Sequence, residues 1–383
     1  VVMSVSLKYD TAPTESTVAA AASAPGVARP RGGRIPVLDG LRFVAASSVV
    51  LFHLSTMIFP WGDHRPSENL WTPYYQATSY GWLGVELFFM ISGFVICMSS
   101  WGRSIGQFLV SRATRLYPAY WFAVLLTSLV VFLVAGGIGS RSPGGWDIVA
   151  NLTMFQEPLG SVDVDSVYWT LWVEMRFYLI FSIVVFMGVT YRRVVVFCVV
   201  WTLGALLATG TDAGVLKYVL VPTSAPFFVA GIAYFLMYRY GPSPVLWVII
   251  GFNFLIGQRT VIDRHHDAEV GMSEYHQQWA THMIVAVFFV VMAALALGWF
   301  DRVTFPWLTT LGGLTYPLYL VHCEMSWVII KELRDDYPPS VLISTLAAAA
   351  VLMATLVYVV IEKRLAPRFA RAMRGALARM PDA

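Results

Sequence analysis

Leu38-Asp39-Gly40-Leu41-Arg42-Phe43-Val44-Ala45-Ala46-Ser47-Ser48-Val49-Val50-Leu51-Phe52-His53 opens an apolar run over 41–59 whose only permanent charge is Arg42. A run of this length matches the roughly 20 residues that cross a bilayer core as a helix. Arg42 and His53 lie 11 residues apart. At 100° per residue that is three turns plus about 20°, so both fall on one helix face, about 16 Å apart along the axis. Arg is always charged and suits phosphate, whereas His is the usual proton-transfer residue near neutral pH. One helix thus offers an anion anchor at one end and a base further in. The spacing equally allows two unrelated interfacial residues.

Nine further apolar runs follow, at about 81–101, 118–136, 168–189, 194–209, 220–238, 243–257, 280–299, 306–330 and 341–361. The chain is 57% hydrophobic and 13% charged, against about 25% charged in a soluble domain. These features predict an all-α, polytopic bundle of about ten membrane helices. A net charge of +3 is too weak to suggest nucleic acid. Cys97, Cys198 and Cys323 lie in apolar runs without paired spacing, so neither a disulfide framework nor a zinc site is expected.

Ten spans put both termini on one side. With the termini inside, 17 of the 26 Lys and Arg fall in inside segments and 7 outside, which predicts cytoplasmic termini. Residues 1–34, rich in Ala, Ser, Pro and Thr, read as a disordered cytoplasmic tail. The Ala19–Ala24 stretch is too short and mild for the h-region of a signal peptide. The membrane domain is expected over 35–366, with a basic cytoplasmic tail over 367–383. The Ala, Arg and Pro bias of both ends fits a high-GC bacterium.

Intramembrane ionisable groups are costly and mark functional sites by default, although one near a helix end can simply snorkel. Besides Arg42 and His53 they are Glu86, Glu174, Arg176, His282, His322 and Glu324. Arg112 and Arg115 precede the third span as i, i+3 neighbours, a placement that positive-inside anchoring alone also explains. Glu174 needs a buried partner, and a histidine on a neighbouring helix is a natural one. Pro317, five residues before His322, frees a backbone carbonyl. His265, His266 and His276 share a loop with acidic residues and read as solvated, in no zinc-ligand spacing.

At these residues the chain resembles the acyltransferase-3 family of bacterial membrane O-acyltransferases. Arg42 with His53 matches the family's Arg-x10-His signature, and Gly84-Val85-Glu86-Leu87-Phe88-Phe89-Met90-Ile91-Ser92-Gly93-Phe94 its second-span Gly/Phe motif. Arg112, Arg115, Leu116 and Pro118 match its Arg-x-x-Arg-Leu-x-Pro element. Trp169-Thr170-Leu171-Trp172-Val173-Glu174 with Phe177-Tyr178 matches a Trp-Ser-Leu-x-x-Glu-x-x-Phe-Tyr motif, with Thr170 keeping the hydroxyl of the commoner Ser. Tyr316-Pro317-Leu318-Tyr319-Leu320-Val321-His322 and Glu362 follow in register, although the Pro usual after that Glu comes only at Pro367.

The resemblance runs from about 36 to 366. It implies transfer of an acyl group from acyl-coenzyme A to a hydroxyl, without a metal, in the bacterial cell membrane. Arg42, Arg112 and Arg115 would hold the coenzyme, and His53 would act as base with Glu174 as its partner. Glu86, Tyr319 and His322 would support them. The implied acceptors are natural products such as a macrolide or its sugar, or envelope polysaccharides and glycolipids. Only about twenty residues follow Glu362, which implies the form without an added esterase-like domain. A transporter of lipid-linked glycans, with the buried charges as its path, is the rival of another class.

Overall fold

The computed structural model describes residues 34–62, 64, 66–134, 143–211, 214–270 and 277–379. The tail expected over 1–34 lies outside them apart from Arg34, as do His276 and the side chain of His266. The main helices are α1 (Pro36–Ser55), α2 (Gly84–Ser100), α3 (Ile105–Val134), α4 (Trp169–Phe186), α5 (Tyr191–Thr209) and α6 (Ala225–Tyr240). They continue with α7 (Pro244–Val270), α8 (Gln278–Ala296), α9 (Pro306–Val321), α10 (Glu324–Leu333), α11 (Pro339–Val357) and α12 (Ala366–Leu377). Among the described residues, nine helical stretches are long and apolar enough to cross a membrane. The protein is an all-α, multi-pass membrane bundle.

Helix α6 forms the axis. Every residue from Ala225 to Met237 is buried, with α2, α5, α7 and α8 packed around it. In an apolar solvent, helix association depends on close packing rather than on expulsion of water, and small residues permit it. At the α2–α6 crossing a Cβ on Gly93 would run into the Phe228 carbonyl, and one on Gly231 into that of Met90. The two backbones therefore touch. On the outside, apolar side chains such as Leu125, Phe132, Val200 and Leu352 stand exposed toward lipid. Helix α1 sits in the groove between α2 and α9, which carries its Arg42/His53 face into the protein.

The run expected as one span over 306–330 is broken. Helix α9 ends at Val321, Cys323 leaves the helical path at φ −92° and ψ −79°, and α10 begins at Glu324. A distant carboxylate makes the break stable. Asp165, fully buried, accepts from the Val167 N–H (3.2 Å) and from the Glu324 N–H (3.1 Å). It thereby caps two helix starts with one side chain. Ser166 Oγ donates to the Glu324 carboxylate at 2.8 Å.

The polar stretch expected as an outer loop over 258–279 also differs, because α7 runs on to Val270. Its polar residues find partners on neighbouring helices, as where Gln258 donates to the His282 carbonyl (3.2 Å). His265, expected in solvent, is buried beside Thr281. From Pro339 to Leu377 the chain stays helical, through a π-helical stretch over Tyr358–Leu365, and α12 packs against α3.

Burial, and then the Glu324 carboxylate, push the Asp165 carboxyl up from 3.8 to about 8, outweighing the two N–H bonds that favour its charge. Between those values the folded protein holds a proton that the unfolded chain has lost, so this group makes stability fall as pH rises. Asp165→Asn should flatten that fall. Thermal unfolding in detergent at about pH 4 and about pH 8, wild type against variant, checks it.

Candidate active site

Arg42 and His53 line different cavities, and a third, small one, the neck, shares wall residues with both. The first cavity, about 450 Å³, is lined by Arg42, Arg112, Arg115, Glu174, Tyr178 and Glu362 among others. Arg115 pairs with Glu362 (3.3 Å) and lies over the Tyr316 ring. Arg112 donates to Ser99 Oγ (3.2 Å) and Ser111 Oγ (3.0 Å), while its Nε has no partner among the described residues. Arg42 has Arg115 and Glu174 as charged neighbours and no hydrogen bond to a described residue. Three guanidinium groups against two carboxylates leave this cavity positive. Helix α12 closes one side of it through Ala366, Pro367 and Ala370.

The neck is about 50 Å³ and runs between Phe88, Phe89, Leu171, Tyr316 and Tyr319. It shares Arg42, Ser92, Glu174 and Tyr316 with the basic cavity, and Val85 and Tyr319 with a third space. The Tyr319 hydroxyl is fixed by Thr170 Oγ1 (2.7 Å) and the Val167 carbonyl (3.3 Å). The third space, a chamber of about 370 Å³, holds His53, Glu86 and Arg264 within walls that include Phe52, Trp82 and Trp169.

Sequence reasoning paired His53 with Glu174, and the structure corrects this. Glu174 accepts from Ser92 Oγ at 2.7 Å and faces the basic cavity and the neck. The partner of His53 is His322, whose Nε2 lies 3.0 Å from His53 Nδ1. His322 Nδ1 lies 2.9 Å from the Tyr319 carbonyl and 3.2 Å from that of Leu318. Carbonyl oxygens only accept, so Nδ1 of His322 carries its hydrogen and Nε2 offers a lone pair. With both rings neutral, His53 must donate through Nδ1. Its Nε2 is left as an unprotonated base. Trp327 Nε1 donates to the His53 carbonyl at 3.0 Å and holds the last turn of α1.

Cys323 completes a buried group, its ligand-type atom and those of His53 and His322 lying within 4.8 Å of one another. The ring nitrogens stand at hydrogen-bond distance, which suits a proton-sharing pair.

Glu86 forms a buried ion pair with Arg264. Arg264 NH2 also donates to Ser224 Oγ (2.7 Å) and Thr223 Oγ1 (3.1 Å), and its guanidinium lies over the Trp169 and Phe89 rings. Sequence reasoning missed Arg264, which it counted as a loop cation, and Asp165. The need of a buried Glu86 for a cation, and the helix-capping pattern at Asp165-Ser166, were the available signals. Arg176 stands apart, donating to the Tyr218 carbonyl at 2.7 Å.

The family described as an acyltransferase domain matches residues 35–362. Acyltransferase MdmB of Streptomyces mycarofaciens is 31% identical over 162 residues, 40% of this chain and 40% of its own length. Exopolysaccharide production protein ExoZ of Rhizobium meliloti is 33% identical over 129 residues, 30% of this chain and 38% of its own. O-acetyltransferase OatA of Staphylococcus aureus is 29% identical over 173 residues, 39% of this chain and 24% of its own. The chain thus spans less than half the length of these relatives. No solved structure matches.

The tautomer assignment has a chemical consequence. Diethyl pyrocarbonate reacts with unprotonated imidazole nitrogen, so peptide mass spectrometry should find His53 modified ahead of His322. Preferential modification of His322 would contradict the assignment.

Proposed function

The chain belongs to the acyltransferase domain family, and from that premise we propose that it moves an acetyl or other short acyl group from acyl-coenzyme A to a hydroxyl. The observation that carries this reading is the row of three cavities with shared walls, three arginines lining the first and His53 the last. Arg42, Arg112 and Arg115 bind the phosphates of the donor. The thin pantetheine arm enters the neck and delivers its thioester toward His53.

His53 Nε2 accepts the proton of the acceptor hydroxyl as that oxygen attacks the thioester carbonyl carbon. The new C–O bond forms and the C–S bond breaks. The proton held on His53 then passes to the departing thiolate. While His53 is charged, its Nδ1–H bond to His322 Nε2 strengthens, because charge-assisted hydrogen bonds exceed neutral ones. His322 is a positioning residue in this scheme. Glu174, held by Ser92 beside Arg42, helps to balance the charge where the basic cavity meets the neck.

The Lys/Arg asymmetry supports a donor side at the cytoplasmic face of the bacterial cell membrane, with both termini there. The high-GC composition supports a natural product, such as a macrolide or its sugar, as acceptor. The relative named for exopolysaccharide production favours a second reading, an envelope polysaccharide.

His53→Ala should lower acyl transfer by about 10²–10⁴-fold, the usual worth of general-base assistance, in protein that remains folded in detergent. Arg115→Ala should raise KM for acetyl-coenzyme A by about tenfold or more, the worth of a charged hydrogen bond, with kcat little changed. Coenzyme A release by the purified protein measures both. Undiminished turnover in His53→Ala would remove its role.

A further inference from the structure

Arg103 has no place in the donor contacts given above, yet its side chain reaches the lip of the basic cavity. It lies on the turn between α2 and α3, where Gly102 adopts φ +74° and the Arg103 N–H donates to the Ser100 carbonyl (3.2 Å). A reciprocal cap closes the turn on its other side. The Ser104 N–H donates to Gln107 Oε1 (3.2 Å), and the Gln107 N–H to Ser104 Oγ (3.3 Å). From this fixed turn the Arg103 guanidinium reaches along α3, and its Nη1 donates to Ser111 Oγ at 3.0 Å. Ser111 lines the basic cavity, and Arg103 itself is exposed.

Arg112 Nη2 donates to the same Ser111 oxygen, also at 3.0 Å. A serine oxygen has two lone pairs and one hydrogen. Both lone pairs are taken, so the O–H remains to donate. Two like charges thus share one neutral oxygen, and among the described residues neither arginine is in an ion pair with a carboxylate. Positive-inside bias explains a cation on this turn, but not a second guanidinium on the same hydroxyl. An anion between them turns the repulsion into attraction, and guanidinium forks suit phosphate oxygens. The two forks and the hydroxyl form an all-donor set. It matches a phosphomonoester, which offers three acceptor oxygens and a charge of about −1.5 to −2 at neutral pH.

The order along α3 says which phosphate this is. Arg115 lies over the ring of Tyr316, a neck residue. Ser111 is four residues nearer the helix start, roughly 6 Å along the axis. Away from the neck the sequence is therefore Arg115, Arg112, then Ser111 with Arg103. Acyl-coenzyme A has a matching order: thioester, pantetheine, pyrophosphate and, last, the phosphomonoester on its ribose.

We propose that Arg103 and Ser111, together with Arg112, form a subsite for the ribose phosphomonoester, so that the protein selects coenzyme A donors over those lacking this group. This rests on the acyl-transfer reading given above.

The test measures binding of coenzyme A and of dephospho-coenzyme A to the whole purified protein in neutral detergent by calorimetry. The wild type should bind coenzyme A on the order of ten- to a hundredfold more tightly, the worth of one hydrogen bond between charged groups. Arg103→Gln should lose most of that preference by weakening coenzyme A alone, and Ser111→Ala should shift it in the same direction. Equal binding of the two ligands by the wild type overturns the proposal. So does a folded Arg103→Gln variant that keeps the preference, or one that weakens both ligands equally. A parallel titration with short-chain phosphatidic acid separates the lipid form of the same phosphate. Lipid binding lost in Arg103→Gln while the nucleotide preference stays would assign the cluster to lipid and overturn the proposal. Binding of neither nucleotide by the wild type is a different result and overturns the acyl-transfer reading itself.

Discussion

The hydrogen bond between His53 on α1 and His322 at the end of α9 is the contact around which the site is organised. Two imidazoles in an apolar bundle have four ring nitrogens to satisfy, and each must be a donor or an acceptor. Backbone carbonyls claim one nitrogen of His322, and that settles the roles of the others in turn. The reactive nitrogen of His53 is thus set from the far side of the pair. The principle is that of an orienting residue behind a base, here supplied by a second histidine.

The carbonyls that orient His322 belong to the last turn of α9, just before the helix stops. A continuous helix through 306–330 would carry Cys323 and Glu324 onward in the same register. Instead Asp165 takes the N–H at the start of α10 and ties it to the turn that begins α4. The same turn supplies Val167, whose carbonyl receives the Thr170 hydroxyl (2.9 Å) and the more distant Tyr319 hydroxyl. Cap, base and neck are therefore mechanically one unit. Backbone irregularity at membrane depth is tolerated where protein or a cavity surrounds it, and here it lies next to the chamber.

Much of this was legible in the chain. The angular arithmetic placed Arg42 and His53 on one face, and in the structure Arg42 lines the basic cavity and His53 the chamber. Arg112 and Arg115 were readable as neighbours of each other, since helical spacing is local, whereas their approach to Arg42 on another helix was not. The partner of His53 was not readable, because Glu174 and His322 were both buried polar groups and only the tertiary fold separates them. The break in α9 lay hidden for a similar reason. Its apolar pattern runs on without a gap, and the residue that stops it stands 159 positions away. Helix α7 outran its apolar segment because Gln258 and Arg264 find partners on other helices, a fact that periodicity does not carry.

The proposed donor site puts the nucleotide at the three arginines and the reacting carbon at His53. A structure with a non-hydrolysable acetyl-coenzyme A analogue, its sulfur replaced by methylene, decides it. The phosphates should lie against Arg112 and Arg115, the pantetheine arm between Phe88 and Tyr319, and the acetyl carbonyl beside His53 Nε2. An analogue bound with its acyl end outside the neck, or with its phosphates away from those arginines, would contradict it.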